Sequence, residues 1–420
     1  MPRPSLLSLD DALARLLAVA RDRVIPEIEK LATFDALGRV LARPVVSGLD
    51  VPPADNSSMD GYALRAADVP AAGTVLPVSQ RLPAGVVGAA LQPGTAVRIF
   101  TGAQLPAGAD AVVMQELCEA VPAADAGQGL GQVRINTLPQ AGQWIRRQGE
   151  DVLHGAEVLA TGVRLTPQAL GLAASVGASR LSVRRRPRVA LFSTGDELVM
   201  PGESLRPGAI YNSNRFMLRG LLQAAGCEVT DLGIVPDRLD ATRDALRRAA
   251  QGNDLILSSG GVSVGEEDHI KPAVRAEGWL EAWALAIKPG KPLAFGAVRR
   301  DDGGQSEALF IGLPGNPVSS FVTFLLAVAP VLRAIQGCPQ AMPQAVSVRA
   351  DFDWLRPDQR REFLRARFNA QGGVELFANQ SSGVLTSAVW ADGLVDNPSG
   401  QVVRRGDTVR LLLLSSLIGA

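Results

Sequence analysis

This sequence of 420 residues has only three cysteines, Cys118, Cys227 and Cys338, far apart and without a CxxC pair. That scarcity argues against a disulfide framework or a cysteine-ligated zinc site and points to a reducing compartment. The only histidines are His154 and His269, too few for a histidine-built metal site or an expected Ser-His-Asp triad. An excess of one charge is also missing, since Lys plus Arg is 42 and Asp plus Glu is 42. A formal net charge of zero argues against a broad nucleic-acid-binding surface. The apolar tail from Leu411 to Leu417 is too short to span a bilayer, so no membrane role is expected. Asp10 and Asp11 fall where a signal peptide would need its apolar core, and the cytoplasm is the expected location.

What is present suits a folded, multidomain chain. Hydrophobic residues make up 47% and charged residues 20%, enough apolar mass for several cores and too little charge for long disorder. Ser8 and Asp11 have capping-box-like spacing, and Leu13, Leu16, Leu17, Ala20 and Val24 follow a helical period. From Gly48 to Asp151 short apolar runs alternate with turns such as Gln92-Pro93-Gly94-Thr95, which reads as a β-rich domain. The stretch from Val152 to Arg180 reads as helical again and is expected to rejoin the N-terminal segment, making the β-rich domain an insertion. Between Arg188 and Ile335 apolar strand runs alternate with helical ones, closing on a long helix from Pro317 to Ile335. That alternation predicts a parallel sheet covered on both faces. After Cys338 short strand patterns return. The expected domains are 1–47 with 152–185, a helical linker; 48–151, the β-rich insertion; 186–337, the α/β domain; and 338–420, a small β-barrel-like domain.

Loops after the predicted strands carry the chemistry, because open parallel sheets bind ligands at their carboxyl ends. Ser193-Thr194-Gly195-Asp196-Glu197 offers hydroxyls for a phosphate and carboxylates for magnesium, or equally a helix cap with a charged first turn. Ser258-Ser259-Gly260-Gly261-Val262-Ser263-Val264-Gly265 can converge backbone amides on a phosphate, and the nearby Asp268 can ligate a metal or polarise water. Lys288-Pro289-Gly290-Lys291-Pro292 is a compact cationic turn. In Leu313-Pro314-Gly315-Asn316-Pro317, Pro317 suits the first turn of a helix whose amides can face the same ligand.

Taken together, NSSMDGYA, RIFTGA, GED, STGDEL, GGVSVGEED, KPGKP and LPGNPVS occur in one order over residues 9–399. As a set they resemble the MoeA family and the homologous E domain of gephyrin. The glycine-serine loop resembles the molybdopterin-binding loop of MogA-type adenylyltransferases. The resemblance implies an elongated homodimer with a MogA-like α/β domain. It implies insertion of molybdenum from molybdate into adenylylated molybdopterin, with Mg2+ present and AMP released. It also implies a MogA-type adenylyltransferase and acceptor molybdoenzymes as partners. A MogA-like adenylyltransferase and a non-catalytic gephyrin-like scaffold are the alternative functions.

Carried over by motif position, the resemblance implies Asp60, Thr101, Glu197 and Asp268 as catalytic, with Glu197 and Asp268 holding magnesium. Implied substrate-binding residues are Asp151, Ser193, Thr194, Gly195, Asp237, Gly260, Gly261, Ser263, Gly265, Lys288, Lys291, Pro314 and Pro317, with Arg361 and Ser382 toward molybdate. One departure stands out. Some family members carry a basic residue four positions before the first Lys of KPGKP, where this chain has Ala284.

Overall fold

In the computed structural model residues 6–122, 129–262, 269–303, 305–340, 342 and 344–418 are described. Ser263, Gly265 and Asp268 lie outside the described residues.

Ser8 caps the first helix, Leu9–Arg21, by accepting the Asp11 amide at 3.0 Å. Its apolar stripe, Leu9, Leu13, Leu16 and Ala20, is buried in the same cluster as Val331, Leu332 and Ile335 of the α/β unit. The first helix of the segment 1–47 thus packs on the α/β unit. An amphipathic stripe goes where apolar area is available to cover it, and the α/β layer supplies that area.

The linker is built mostly of strands. Ile28–Ala32 pairs with Arg180–Arg184, and Val45–Val46 with Glu157–Leu159. Leu41, Val45, Leu159, Leu165 and Val183 share one core. The stretch expected to be helical from Val152 to Arg180 is helical only over Pro167–Ser175. Thr166 caps that helix and Pro167 opens it. Before it, Gly155 and Gly162 sit at positive φ, turning the chain where a helix would have to run. Residues 48–151 contribute a six-stranded sheet in the order Ala111–Met114, Gly61–Leu64, Ala96–Ile99, Thr74–Leu82, Gln132–Ile135, Cys118–Val121.

The α/β sheet runs Glu228–Val235, Arg188–Thr194, Leu255–Ser259, Glu307–Leu313, Pro292–Arg299, Gly278–Ala284. The first four strands are parallel, but the last two are antiparallel. The sheet is thus mixed rather than wholly parallel. The turns before Pro292 and after Arg299 are too short for crossover helices, so those strands must return antiparallel. One face packs on helices Leu9–Arg21, Ser213–Ala224 and Pro317–Ile335, the other on Leu239–Ala250 and Ile270–Glu277.

Pro317–Ile335 is long and apolar enough to cross a membrane by length and composition, yet 94% of its most apolar window is buried inside the protein. It is the core helix of this layer. Its middle, Phe324–Val328, winds as a π segment. Pro330 has no N–H for the carbonyl one turn back, which accounts for the local widening.

In the C-terminal unit the sheet order is Ile287–Lys288, Arg361–Phe368, Gly393–Asn397, Thr408–Leu413, Val346–Arg349, with Val374–Leu376 on Arg361–Phe368. A bridge between Ala350 and Val374 closes the ring. Ile287–Lys288 belongs to the α/β segment but pairs in parallel with Arg361 and Glu362. That pairing docks the barrel against the carboxyl ends of the α/β strands.

Candidate functional site

Each parallel strand delivers a polar turn to one crevice. Thr194, Gly195 and Glu197 follow the first strand, Asp237 the second, Ser259, Gly260 and Gly261 the third, and Pro314 to Pro317 the fourth. The Lys288–Pro292 turn forms another wall, and Arg360 with Gln380 to Gly383 of the barrel completes a cavity of about 1050 Å³. Ligand pockets commonly span roughly 300–1,000 Å³, so there is room for a large substrate.

Local backbone geometry explains the glycines. Gly260 and Gly261 have φ of +92° and +66°, and a Cβ on Gly260 would lie 2.6 Å from the Thr194 carbonyl oxygen. Only glycine lets these two turns touch. Asn214 ties the neighbouring loops together, its Nδ2 donating to Ser259 Oγ at 2.8 Å and to the Gly315 carbonyl at 2.7 Å. Three buried polar atoms of residues in the cavity wall, Thr194 Oγ1, Asn212 Nδ2 and Asn214 Oδ1, have no hydrogen-bond partner among the described residues. Leaving such a group unmet costs ~1–3 kcal/mol.

Lys288, Lys291 and Arg360 bring positive charge to the wall. Lys288 Nζ lies 3.3 Å from Glu362 and 3.4 Å from Asp358. The Glu362 side chain is fully buried and also accepts the Trp354 indole N–H at 2.7 Å. Arg360 grips Asp358 at 3.0 Å. Its hydrogen bonds, helped by the charge of Lys288, hold the Asp358 carboxyl well below the usual range. Glu197 and Asp237 also line the cavity and add two carboxylates, the kind of hard oxygen donor a magnesium ion takes. Among the described residues no cluster of three His, Cys, Asp or Glu side chains could hold a metal on its own.

Of the residues expected from sequence, the cavity gathers Thr194, Gly195, Glu197, Asp237, Gly260, Gly261, Lys288, Lys291, Pro314, Pro317 and Ser382. Ser193 is buried beneath it, its Oγ 3.4 Å from Asn212 Oδ1. Arg361 does not line it. Its guanidinium is bound to Asp396 at 2.6 Å and Asp10 at 3.1 Å, and neighbouring Arg360 faces the cavity instead. Among the described residues none of 48–151 lines the cavity. Within that segment Asp60 and Thr101 are nevertheless brought together: Asp60 Oδ1 accepts the Thr101 amide at 2.8 Å and its hydroxyl at 2.7 Å. These bonds, with Arg98 nearby, hold the Asp60 carboxyl below its ordinary value. Asp151 stands apart in an exposed turn.

The sequence reading missed Arg360, Gln380, Asn212, Asn214 and Glu362. The run Tyr211-Asn212-Ser213-Asn214 at a helix start was a usable signal of a further polar loop. Nothing local distinguishes Arg360 from Arg361, because which one faces the cavity depends on the strand pairing with Ile287 and Lys288.

Fold and site together define an α/β protein with a cation-lined cavity between its sheet and a docked β-barrel. The MoeA N-terminal region (domain I and II) matches residues 7–177, the probable molybdopterin binding domain 190–334, and the MoeA C-terminal region (domain IV) 347–414. A molybdopterin molybdenumtransferase of Haemophilus influenzae is 37% identical over 99% of this chain and 100% of its own length. That of Bacillus subtilis is 33% identical over 92% and 90%. The crystal structure of a molybdopterin biosynthesis MoeA protein from Pyrococcus horikoshii covers 97% of this chain and 100% of its own, with TM-score 0.80 and 29% identity. The chain belongs to the MoeA family of molybdopterin molybdenumtransferases.

Proposed function

We infer that the chain is a molybdopterin molybdenumtransferase acting in molybdenum cofactor synthesis, with adenylylated molybdopterin and molybdate as its substrates. The observation that carries this reading is the convergence of polar and glycine turns and three cations, Lys288, Lys291 and Arg360, on one cavity. A pyrophosphate-linked substrate needs such donors, and molybdate, a tetrahedral oxyanion, needs charged and hydroxyl partners. Glu197 and Asp237 would hold a magnesium ion, joined by Asp268 on sequence grounds. Bound there, the ion would neutralise phosphate charge and so ease departure of AMP. Gly260 and Gly261 orient the phosphate, while Lys288, Lys291, Arg360 and Ser382 hold molybdate. Arg360 offers the positive charge that Ala284 does not.

Asp60 and Thr101 enter this reading from a partner subunit. They form a prepared polar pair, yet among the described residues their segment lines no part of the cavity in its own chain. The linker exposes Phe34 (94% exposed), Leu37, Val46 and Leu153, an apolar surface consistent with a two-fold dimer. In that assembly each site is composite. The cytoplasm is the proposed location, a MogA-type adenylyltransferase the proposed source of substrate, and molybdoenzymes the proposed acceptors.

The test is to incubate the chain with adenylylated molybdopterin, Mg2+ and molybdate and to follow AMP and cofactor. Molybdate-dependent release of AMP with cofactor formation is expected. Consumption of ATP to make the adenylate would favour an adenylyltransferase, and no turnover at all would favour a scaffold.

A further inference from the structure

Outside the cavity, the sheet of residues 48–151 carries a row of arginine and aromatic side chains that the proposed chemistry does not explain, although Tyr62 of that row also packs on the core. Arg81 lies opposite Arg98 in the parallel pairing of Thr74–Leu82 with Ala96–Ile99, and Tyr62 lies opposite Arg98 on the other side. The three residues therefore form one cross-strand row. Phe100, two residues after Arg98, falls on the same face because side chains alternate along a strand. The centre of its ring lies 4.7 Å from the guanidinium of Arg81 and 4.6 Å from that of Arg98. Arg98 also lies 5.3 Å from the Tyr62 ring.

Among the described residues no ion pair joins this row, although the Asp60 carboxylate lies near Arg98. Arg98 donates only to neutral acceptors, the Gly61 carbonyl at 3.0 Å and Gln115 Oε1 at 2.6 Å. Arg81 is exposed, and among the described residues it forms neither a hydrogen bond nor an ion pair. Two like charges on one ring repel each other, and an anion between them would relieve that repulsion. Stacked guanidiniums keep their N–H edges free, and those edges match phosphate oxygens in pairs. The aromatic faces beside them suit a planar heterocycle. Asp60 and Thr101 adjoin the row through Gly61 and Phe100 in the chain.

We propose that Arg81, Arg98, Phe100 and Tyr62 form a binding subsite for a phosphomonoester carrying a heteroaromatic base, of the nucleoside monophosphate class. The assignment rests on the proposed function in one respect: AMP, the product there, is the ligand of this class at hand. In a composite site the row receives the nucleotide part of the substrate next to Asp60, apart from the anion cavity.

The experiment is photolabelling of the full-length chain with 8-azido-AMP, followed by peptide mapping. Competitor arms contain AMP, adenosine or inorganic phosphate. Label is expected on the peptides holding Tyr62 and Phe100, competed by AMP at least tenfold better than by adenosine or phosphate. Arg81→Gln, an exposed change, should lose most of that label while keeping the wild-type melting temperature. Arg81→Lys should keep part of it. Label confined to peptides of the α/β cavity, or undiminished label in Arg81→Gln, would overturn the proposal. Competition by phosphate as strong as by AMP would overturn the nucleotide assignment. A chain that inserts no molybdenum yet labels as expected would sink the proposed function and leave this subsite standing.

Discussion

Lys288 and Glu362 lie 3.3 Å apart across the seam between the α/β sheet and the barrel, the lysine partly exposed to the cavity and the glutamate fully buried. The pair gives Lys288 two duties, to face an incoming anion and to neutralise a carboxylate that cannot reach water. Lys288→Met therefore leaves Glu362 charged and unpaired, and should cost about 1–3 kcal/mol, reduced because Asp358 and solvent share the lysine. The double variant Lys288→Met/Glu362→Gln should regain most of that stability but not the affinity for molybdate. Calorimetry and thermal melts of the two variants make the comparison. A double variant that binds molybdate like wild type would remove Lys288 from the anion site.

Gly260 should be irreplaceable for steric reasons. Alanine there meets the Thr194 carbonyl at 2.6 Å with φ of +92°, a strain of ~1–3 kcal/mol. Gly315, also in the cavity wall, has nothing within 4 Å of its would-be Cβ. Gly260→Ala should melt several degrees lower and lose turnover, whereas Gly315→Ala should melt within a degree or so of wild type. Equal melting temperatures would contradict the packing described here.

Glu197 should set the magnesium requirement. Glu197→Gln keeps the shape beside Gly195 but removes a charged oxygen donor, so half-saturation with Mg2+ should rise tenfold or more at unchanged melting temperature. An unaltered Mg2+ titration would assign Glu197 to the bland role of a charged turn residue between two strands.

The sequence made much of this architecture legible. Strands such as Arg188–Thr194 and Leu255–Ser259 are short, wholly buried apolar runs ending in polar turns, and that pattern survives without tertiary information. Most of the cavity could be named because glycine and proline punctuate those turns. What stayed hidden depends on pairing between distant segments. The first helix shows an apolar stripe but not its partner, 300 residues away in sequence. Arg360 and Arg361 are adjacent, and only docking of the barrel decides which faces the ligand. Gly393–Asn397 escaped notice because its buried Asp396 and Asn397 look like loop residues until Arg361 and Glu362 are placed beside them.

Asp60 should titrate below its ordinary value of 3.8, because the Thr101 amide and hydroxyl bind its ionised form. The sign follows from linkage. A carboxylate depressed in the folded state contributes stability that is present above the unfolded pKa and lost as pH falls through the folded one. Carboxyl NMR should show Asp60 moving back up in Thr101→Val, with the backbone amide bond alone remaining. No movement would mean that the hydroxyl contributes nothing.

The central claim is that the cavity of one protomer works with Asp60 and Thr101 of its partner. The most direct measurement mixes Asp60→Ala with Glu197→Gln, at a Mg2+ level too low for Glu197→Gln to turn over, with subunit exchange through denaturation or co-expression, and assays molybdenum insertion. Each heterodimer would hold one doubly damaged site and one intact site, so random pairing restores about one quarter of all sites. Recovery near a quarter of wild-type insertion is the predicted result. Confirmed heterodimers with no recovered insertion would contradict it.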